Sequence, residues 1–155
     1  MRPIPNRVWR AEPEEAEHVA RLLVAFREWY NVDWPSDNAF LAGVERLIES
    51  PDAEFLLGTP DDDSPPCAVV QLRFRYSVWT AAPDCWLEDL FVTDHARRTG
   101  LGRAMVLAAI DRAEQRDCRR MELDVDDVNE PARALYQDLG FAEKHGGAAL
   151  MVRPL

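Results

Sequence analysis

Two stretches of this sequence combine residue types and spacings that suit chemistry. The first reads Trp86-Leu87-Glu88-Asp89-Leu90-Phe91-Val92-Thr93-Asp94-His95-Ala96-Arg97-Arg98-Thr99-Gly100-Leu101-Gly102-Arg103-Ala104-Met105. A β-type run passes through a glycine turn into a helical pattern. Gly100 and Gly102 let the backbone approach a ligand closely, and the first N–H groups of the helix lack internal partners at the positive end of its dipole. An anion is expected there, and Arg97, Arg98 and Arg103 add charge suited to a phosphate. The glycine pair alone is weaker evidence, because a turn followed by a helix start calls for glycine in any case. A P-loop requires a lysine after its last glycine, and none follows here. A dinucleotide fingerprint requires Gly or Ala where Met105 stands, with too little chain beyond it for the rest of such a domain.

Glu88 and Asp89 lie inside the apolar run Trp86 to Val92, where a carboxylate is costly unless hydrogen-bonded or paired. Either carboxylate is a candidate proton acceptor. Consecutive strand residues face opposite sides, so only one of the two lines a given cleft. A strand-end carboxylate bonded to a neighbouring Arg or to backbone fits the same residues. The second stretch runs from Leu123 to Phe141. Glu122, Asp124 and Asp126 alternate along a strand and Asp127 follows, which suits either a basic substrate or a solvated strand end. An EF-hand is excluded, since Val128 and Asn129 stand where an acidic ligand and a glycine belong. His18, His95 and His145 form no triad pattern, and no metal site is expected.

These residues need elements to position them. Ala16, Val19, Ala20, Leu22, Leu23, Phe26 and Trp29-Tyr30 recur at helical steps after a start at Glu12 to Glu15, and Ser36-Asp37 opens a second helix to about Glu49. β-type runs follow at Glu54 to Gly58, Cys67 to Tyr76 and Trp86 to Thr93, the first two joined by the exposed loop Thr59 to Pro66. Then come a helix from Gly100 to Gln115, a strand from Arg120 to Val125, and a helix from Glu130 to Leu139 capped by Asn129. A final strand pair is expected at Phe141 to Lys144 and Ala148 to Arg153. The alternation predicts one α/β domain with a mixed sheet, parallel where a helix crosses over.

Composition sets the bounds. The chain has 155 residues with 18 basic and 28 acidic side chains, a net charge of −10. That length supports a core without disulfides, and the acidity argues against nucleic-acid backbones while suiting a cationic substrate. No run is long and apolar enough to cross a membrane, and the N-terminal residues lack a signal-peptide pattern. Cys67, Cys85 and Cys118 are odd in number and far apart, as expected of a cytoplasmic protein without a zinc site.

The pattern R-x-x-G-x-G, met by Arg97, Gly100 and Gly102, resembles the coenzyme A pyrophosphate loop of the GNAT superfamily of N-acetyltransferases. The later Asn129 followed by A-x-x-L-Y-x-x-x-G-F, from Ala132 to Phe141, resembles that family's second signature. Together they span about half of the chain. Locally, Leu87-Glu88-Asp89 is similar to diamine and aminoglycoside acetyltransferases.

The resemblance implies a sheet of about six to seven strands with about four helices, splayed between the fourth and fifth strands, and acetyl-CoA as co-substrate without a metal. It places Leu90, Phe91 and Val92 along the pantetheine and thioester, with one of their N–H groups polarising the carbonyl. Arg97, Arg98, Thr99, Gly100, Leu101, Gly102 and Arg103 fall around the pyrophosphate, and Asn129 along the coenzyme arm. Tyr136 would protonate the leaving thiolate, and Glu88 is favoured as base. Trp29, Tyr30, Trp34, Phe40, Glu88 and Asp124 would shape the pocket of an amine acceptor: polyamine, aminoglycoside, amino-acid derivative or protein amine. Family habit also implies a homodimer. Core packing for the aromatic residues and for Tyr136, and N-capping for Asn129, fit the same sequence. A non-catalytic coenzyme A sensor would need Arg97, Gly100 and Gly102 but neither Glu88 nor Tyr136.

Overall fold

The computed structural model describes residues 6–61, 63–144 and 149–155. The chain forms two compact units, divided after Asp124. In the first, strands β1 (Arg7–Arg10), β2 (Ala53–Thr59), β3 (Ala68–Ser77), β4 (Ala82–Val92) and β5 (Arg120–Glu122) make one sheet in the order β1-β2-β3-β4-β5. The first four are antiparallel, and β5 joins β4 in parallel. Helices α1 (Ala16–Trp29) and α2 (Asp37–Ile48) precede β2, and α3 (Leu101–Gln115) makes the crossover between β4 and β5. The second unit holds α4 (Glu130–Asp138).

Binary patterning decides which helix covers which face. Along β2 and β3, Leu56, Val70, Leu72 and Phe74 point to one side, where Leu101, Met105, Ala109 and Ala113 of α3 pack on them. Phe55, Leu57 and Val69 point to the other, against Val19, Leu22 and Leu23 of α1 and Val44 and Ile48 of α2. Gly58 lets α3 come close, since a Cβ there would stand 2.6 Å from Met105 Sδ. Ser36 caps α2 by accepting from the Ala39 N–H at 3.2 Å. The loop after β2 is held by Asp61, whose carboxylate accepts from the N–H groups of Asp63 and Ser64.

Two strand expectations are corrected. Five strands form among the described residues, not six or seven. The expected final pair is absent where it can be seen: residues 141–144 and 149–153 are irregular, and His145, Gly146, Gly147 and Ala148 lie outside the described residues. Leu150, Met151 and Val152 are more than 70% exposed, so their apolar pattern has no sheet face to bury against. The strand expected to reach Val125 stops at Glu122, because only Asp84, Cys85 and Trp86 of β4 lie in register with it. The unexpected β1 is too short to show a period, and it is created by its pairing to β2 from Arg7 against Thr59 to Arg10 against Leu56.

Glu54 of β2 is fully buried and charged. Arg112 of α3 donates to both of its carboxylate oxygens, Arg10 Nε lies 3.3 Å away, and Arg116 stacks on the Phe74 ring nearby. Removing one partner of a buried pair costs about 3–5 kcal/mol, and Arg10 remains to offset part of that. Arg112→Met is therefore expected to lower unfolding stability by about 3 kcal/mol, read as a lower urea midpoint with an unchanged m value.

Candidate active site

β4 keeps its neighbour on one side only. Its parallel ladder with β5 covers Asp84 to Trp86, and from Leu87 to Val92 the strand pairs with β3 alone. The sheet is thus splayed between β4 and β5, as the resemblance implies. Within the open stretch the β3 register slips: Gln71 faces Glu88 and Val69 faces Phe91, so Val70 is opposed by both Asp89 and Leu90. This is a β-bulge, and Asp89 absorbs it with φ of +57°. The bulge resets the alternation. Leu87, Leu90 and Val92 share the α3 face, whereas Phe91 packs on the α1 side. Glu88 comes onto the same side as Phe91, and Asp89 is the extra, exposed residue. Thr93 donates its N–H to the Cys67 carbonyl at 2.9 Å, just before β3, so by alternation the Val92 N–H and carbonyl point into the splay.

The glycine turn follows at once. A 3-10 turn, Asp94–Ala96, leads to Arg98 at φ +63° and Gly100 at φ +82°, the cap of α3. Left-handed residues at this spacing gather successive N–H groups into a concave, anion-directed surface. Gly100 offers no side chain to the first helical N–H groups; Thr99 Oγ1 instead accepts from Leu101 at 3.4 Å and donates to Ala96 at 2.6 Å. Arg98 and Arg103 stand exposed around the turn, and Leu101 is buried beneath it while Gly102 is partly exposed. Arg97 is held differently. Its Nε donates to the Val92 carbonyl at 3.0 Å, Nη1 lies 3.2 Å from Asp94, and the guanidinium faces the rings of Trp29 and Phe91 at 5.5 and 5.9 Å. Sequence reasoning missed this aromatic clasp, as it missed the bulge.

Phe26 of α1 organises the aromatic wall. Its ring lies 5.0 Å from Phe91, 4.9 Å from Tyr30 and 6.2 Å from Trp29. Trp29 and Tyr30 are each about half exposed, so their outer surfaces remain available. Trp34 is 75% exposed and makes no ring contact with them among the described residues. It sits in the α1–α2 connection, which Arg27 ties down through the Pro35 carbonyl and Asp37 while facing the Phe40 ring.

Electrostatics separate the candidate groups. Burial pushes the Glu88 carboxyl above its ordinary value, Asp89 beside it adds to the rise, and Arg73 opposes it. Asp89 is also raised by burial, although its surface stays open to water. Burial pushes the Cys85 thiol up to about 12 and also raises Cys67 and Cys118, which disfavours a thiolate nucleophile. Asp84 is engaged by Arg120 at 2.6 Å and Glu122 by the same side chain at 3.1 Å. Asp124 lies beyond the ladder and is exposed, which corrects its expected place on a strand face.

In the second unit Asn129 caps α4, its side chain accepting from the Ala132 N–H at 3.3 Å. Arg133 fixes the start of the helix to Asp127 at 3.0 Å and reaches Glu143 at 2.5 Å. Tyr136 is the buried residue of α4, with its ring 5.8 Å from Phe141 in an edge-on arrangement. Gly140 takes φ of +96° and ends the helix.

A one-sided strand with a bulge, running into an anion-directed helix start, defines an acyl-coenzyme A transferase class of fold. The Acetyltransferase (GNAT) family matches residues 21–141, and the chain belongs to it. It is an acetyl-CoA-dependent N-acetyltransferase. The chain is 29% identical to the uncharacterized N-acetyltransferase YhfO of Bacillus subtilis (strain 168), over 88% of this chain and 90% of that one. It is 28% identical to the aminoglycoside N(6')-acetyltransferase type 1 of Serratia marcescens, over 71% of this chain and 78% of that one. The crystal structure of a probable acetyltransferase superposes with a TM-score of 0.87, covering 96% of this chain and 98% of that one at 21% identity.

The raised Glu88 carboxyl has a stability consequence. Its folded form holds the proton more tightly than the unfolded chain does, so its contribution is full below the ordinary value of 4.5 and is lost as pH rises through the raised one. Glu88→Gln is expected to raise Tm at pH 7 and to leave it nearly unchanged at pH 4 or below. Thermal unfolding at the two pH values checks this.

Proposed function

We propose that the enzyme acetylates a cationic primary amine by direct attack on the thioester of acetyl-CoA. The carrying observation is the Glu88 carboxyl, raised by burial and set beside an open strand that runs into an anion-directed helix start. The residues fit the coenzyme. The concave turn at Arg98 and Gly100, with Arg103 on the first helical turn, suits a pyrophosphate, and the unpaired side of Leu90 to Val92 suits an extended amide-bearing arm. Acetyl-CoA supplies an activated acyl group on a thiol leaving group.

In this reading Glu88 takes the proton of the incoming ammonium, directly or through one water, at a carboxyl whose raised value brings it nearer to neutral pH. The Val92 N–H, directed into the splay, polarises the carbonyl, whereas the Phe91 N–H is directed to β3. Tyr136 donates the proton that the departing thiolate needs, a role carried by its motif. The rings of Trp29 and Tyr30 and the overall charge of −10 favour a cationic acceptor. Similarity to an aminoglycoside acetyltransferase supports the same class. The free cysteines fit a reducing, cytoplasmic setting.

Thiol release from acetyl-CoA against a mixed panel of polyamines, aminoglycosides, amino-acid amides and N-terminal peptides tests this. The parent is expected to turn over a cationic member. Glu88→Gln should lower kcat about 100-fold or more at pH 7, and Tyr136→Phe about 10-fold or more, each with acetyl-CoA affinity retained. Acetyl-CoA binding without release to any amine would instead support a sensing domain.

A further inference from the structure

Gln71 interrupts the apolar run Val69-Val70-Gln71-Leu72 in the middle of β3, and it is 95% buried by its 5% exposure. Its Nε2 has no hydrogen-bond partner among the described residues. Nearly all buried donors in folded proteins are paired, so an orphan of this kind calls for a reason. The register supplies one. Gln71 stands directly across from Glu88, on the last β3–β4 pair before the bulge. Directly opposed residues have their Cβ atoms about 4.5–5.5 Å apart and share a face, so an amide and a carboxylate of these lengths are within mutual reach. The donor without an acceptor and this carboxyl therefore share a face on opposed residues, without a hydrogen bond between them in this structure.

We infer that Gln71 is a positioning residue for the reaction: its Nε2–H donates to the ionised Glu88 carboxylate and so sets the pH at which that group becomes a base. This rests on the reading of Glu88 as the base. A donor aimed at the charged form favours it, and Arg73 acts in the same direction from a more exposed position. Arg73 on β3 attracts the carboxylate as a screened, exposed charge, and Asp89 on β4 repels it. The α1 side brings aromatic rings, with Arg97 turned to Val92 and Asp94, and Arg27 turned to Pro35 and Asp37. The bulge keeps Asp89 out of alternation, leaving Glu88 and Gln71 as the facing pair. Neutral Glu88 offers this donor only a neutral carbonyl acceptor, whereas ionised Glu88 offers a stronger, charge-assisted one. The hydrogen bond is therefore strongest in the form of the enzyme that accepts a proton.

The test is the pH dependence of kcat/KM for the parent, Gln71→Met, Glu88→Gln and the double variant, with Tm and acetyl-CoA binding measured beside each. Met keeps the length of Gln and removes the donor; Gln71→Leu serves the same purpose if Met packs poorly. In Gln71→Met the acidic limb should move up by about one pH unit, giving roughly a tenfold loss below the limb and little loss on the plateau. Its Tm should stay close to that of the parent at pH values below the limb and fall on the plateau, where the ionised carboxylate has lost its donor. The double variant should be no slower than Glu88→Gln alone. A limb that stays in place in a folded Gln71→Met, while Glu88→Gln abolishes it, overturns the inference and leaves the base assignment intact. A limb that persists in Glu88→Gln overturns the base assignment and this inference with it.

Discussion

Everything in the site depends on β4 losing its neighbour halfway along. Three residue pairs to β5 hold its first half, and its second half is bonded on the β3 side only. A half-paired strand normally represents a hazard, because unpaired backbone groups invite another strand. Here the exposed edge is short, it carries a bulge, and its carbonyl at Val92 is taken by Arg97. What is left on that edge is the Val92 N–H, directed into the splay.

The bulge decides which side chains accompany that edge. Without it, Asp89 and Phe91 would share a face with Leu87, and Glu88 would share one with Leu90. The one-residue slip puts Leu87, Leu90 and Val92 together against the α3 layer and brings Glu88 and Phe91 to the α1 side. Phe91 then stacks on Phe26, and Arg97 closes over both Phe91 and Trp29. The glycine turn and the aromatic wall therefore share a guanidinium.

The remainder of the first unit holds α3 in place so that its start meets the end of β4. Apolar burial along Leu101, Met105 and Ala109 provides most of the attraction, and the missing side chain at Gly58 permits the close approach. The buried Glu54 fixes β1, β2 and the far end of α3 through Arg10 and Arg112. Such a network contributes little net stability, but its geometry is strict, and strict geometry is what a helix-start anion site requires.

The sequence by itself determined the helices, the glycine turn and the order of elements, because these are local: caps at Ser36 and Asn129, helical spacing from Ala16 to Trp29, and Gly100 at its left-handed position all act within a few residues. It also exposed Glu88, since a carboxylate in an apolar strand is conspicuous, and it placed the splay through a family resemblance. Gln71 carried the same signal in its own strand, yet its meaning required the register that sets it opposite Glu88. β1 and the early end of β5 were decided by pairing, which depends on a partner distant in sequence. The bulge at Asp89 and the clasp of Arg97 belong to the same class. Strand register and side-chain facing are set by long-range packing, and a period-two pattern reads identically on either side of a one-residue slip until the opposing strand is in place.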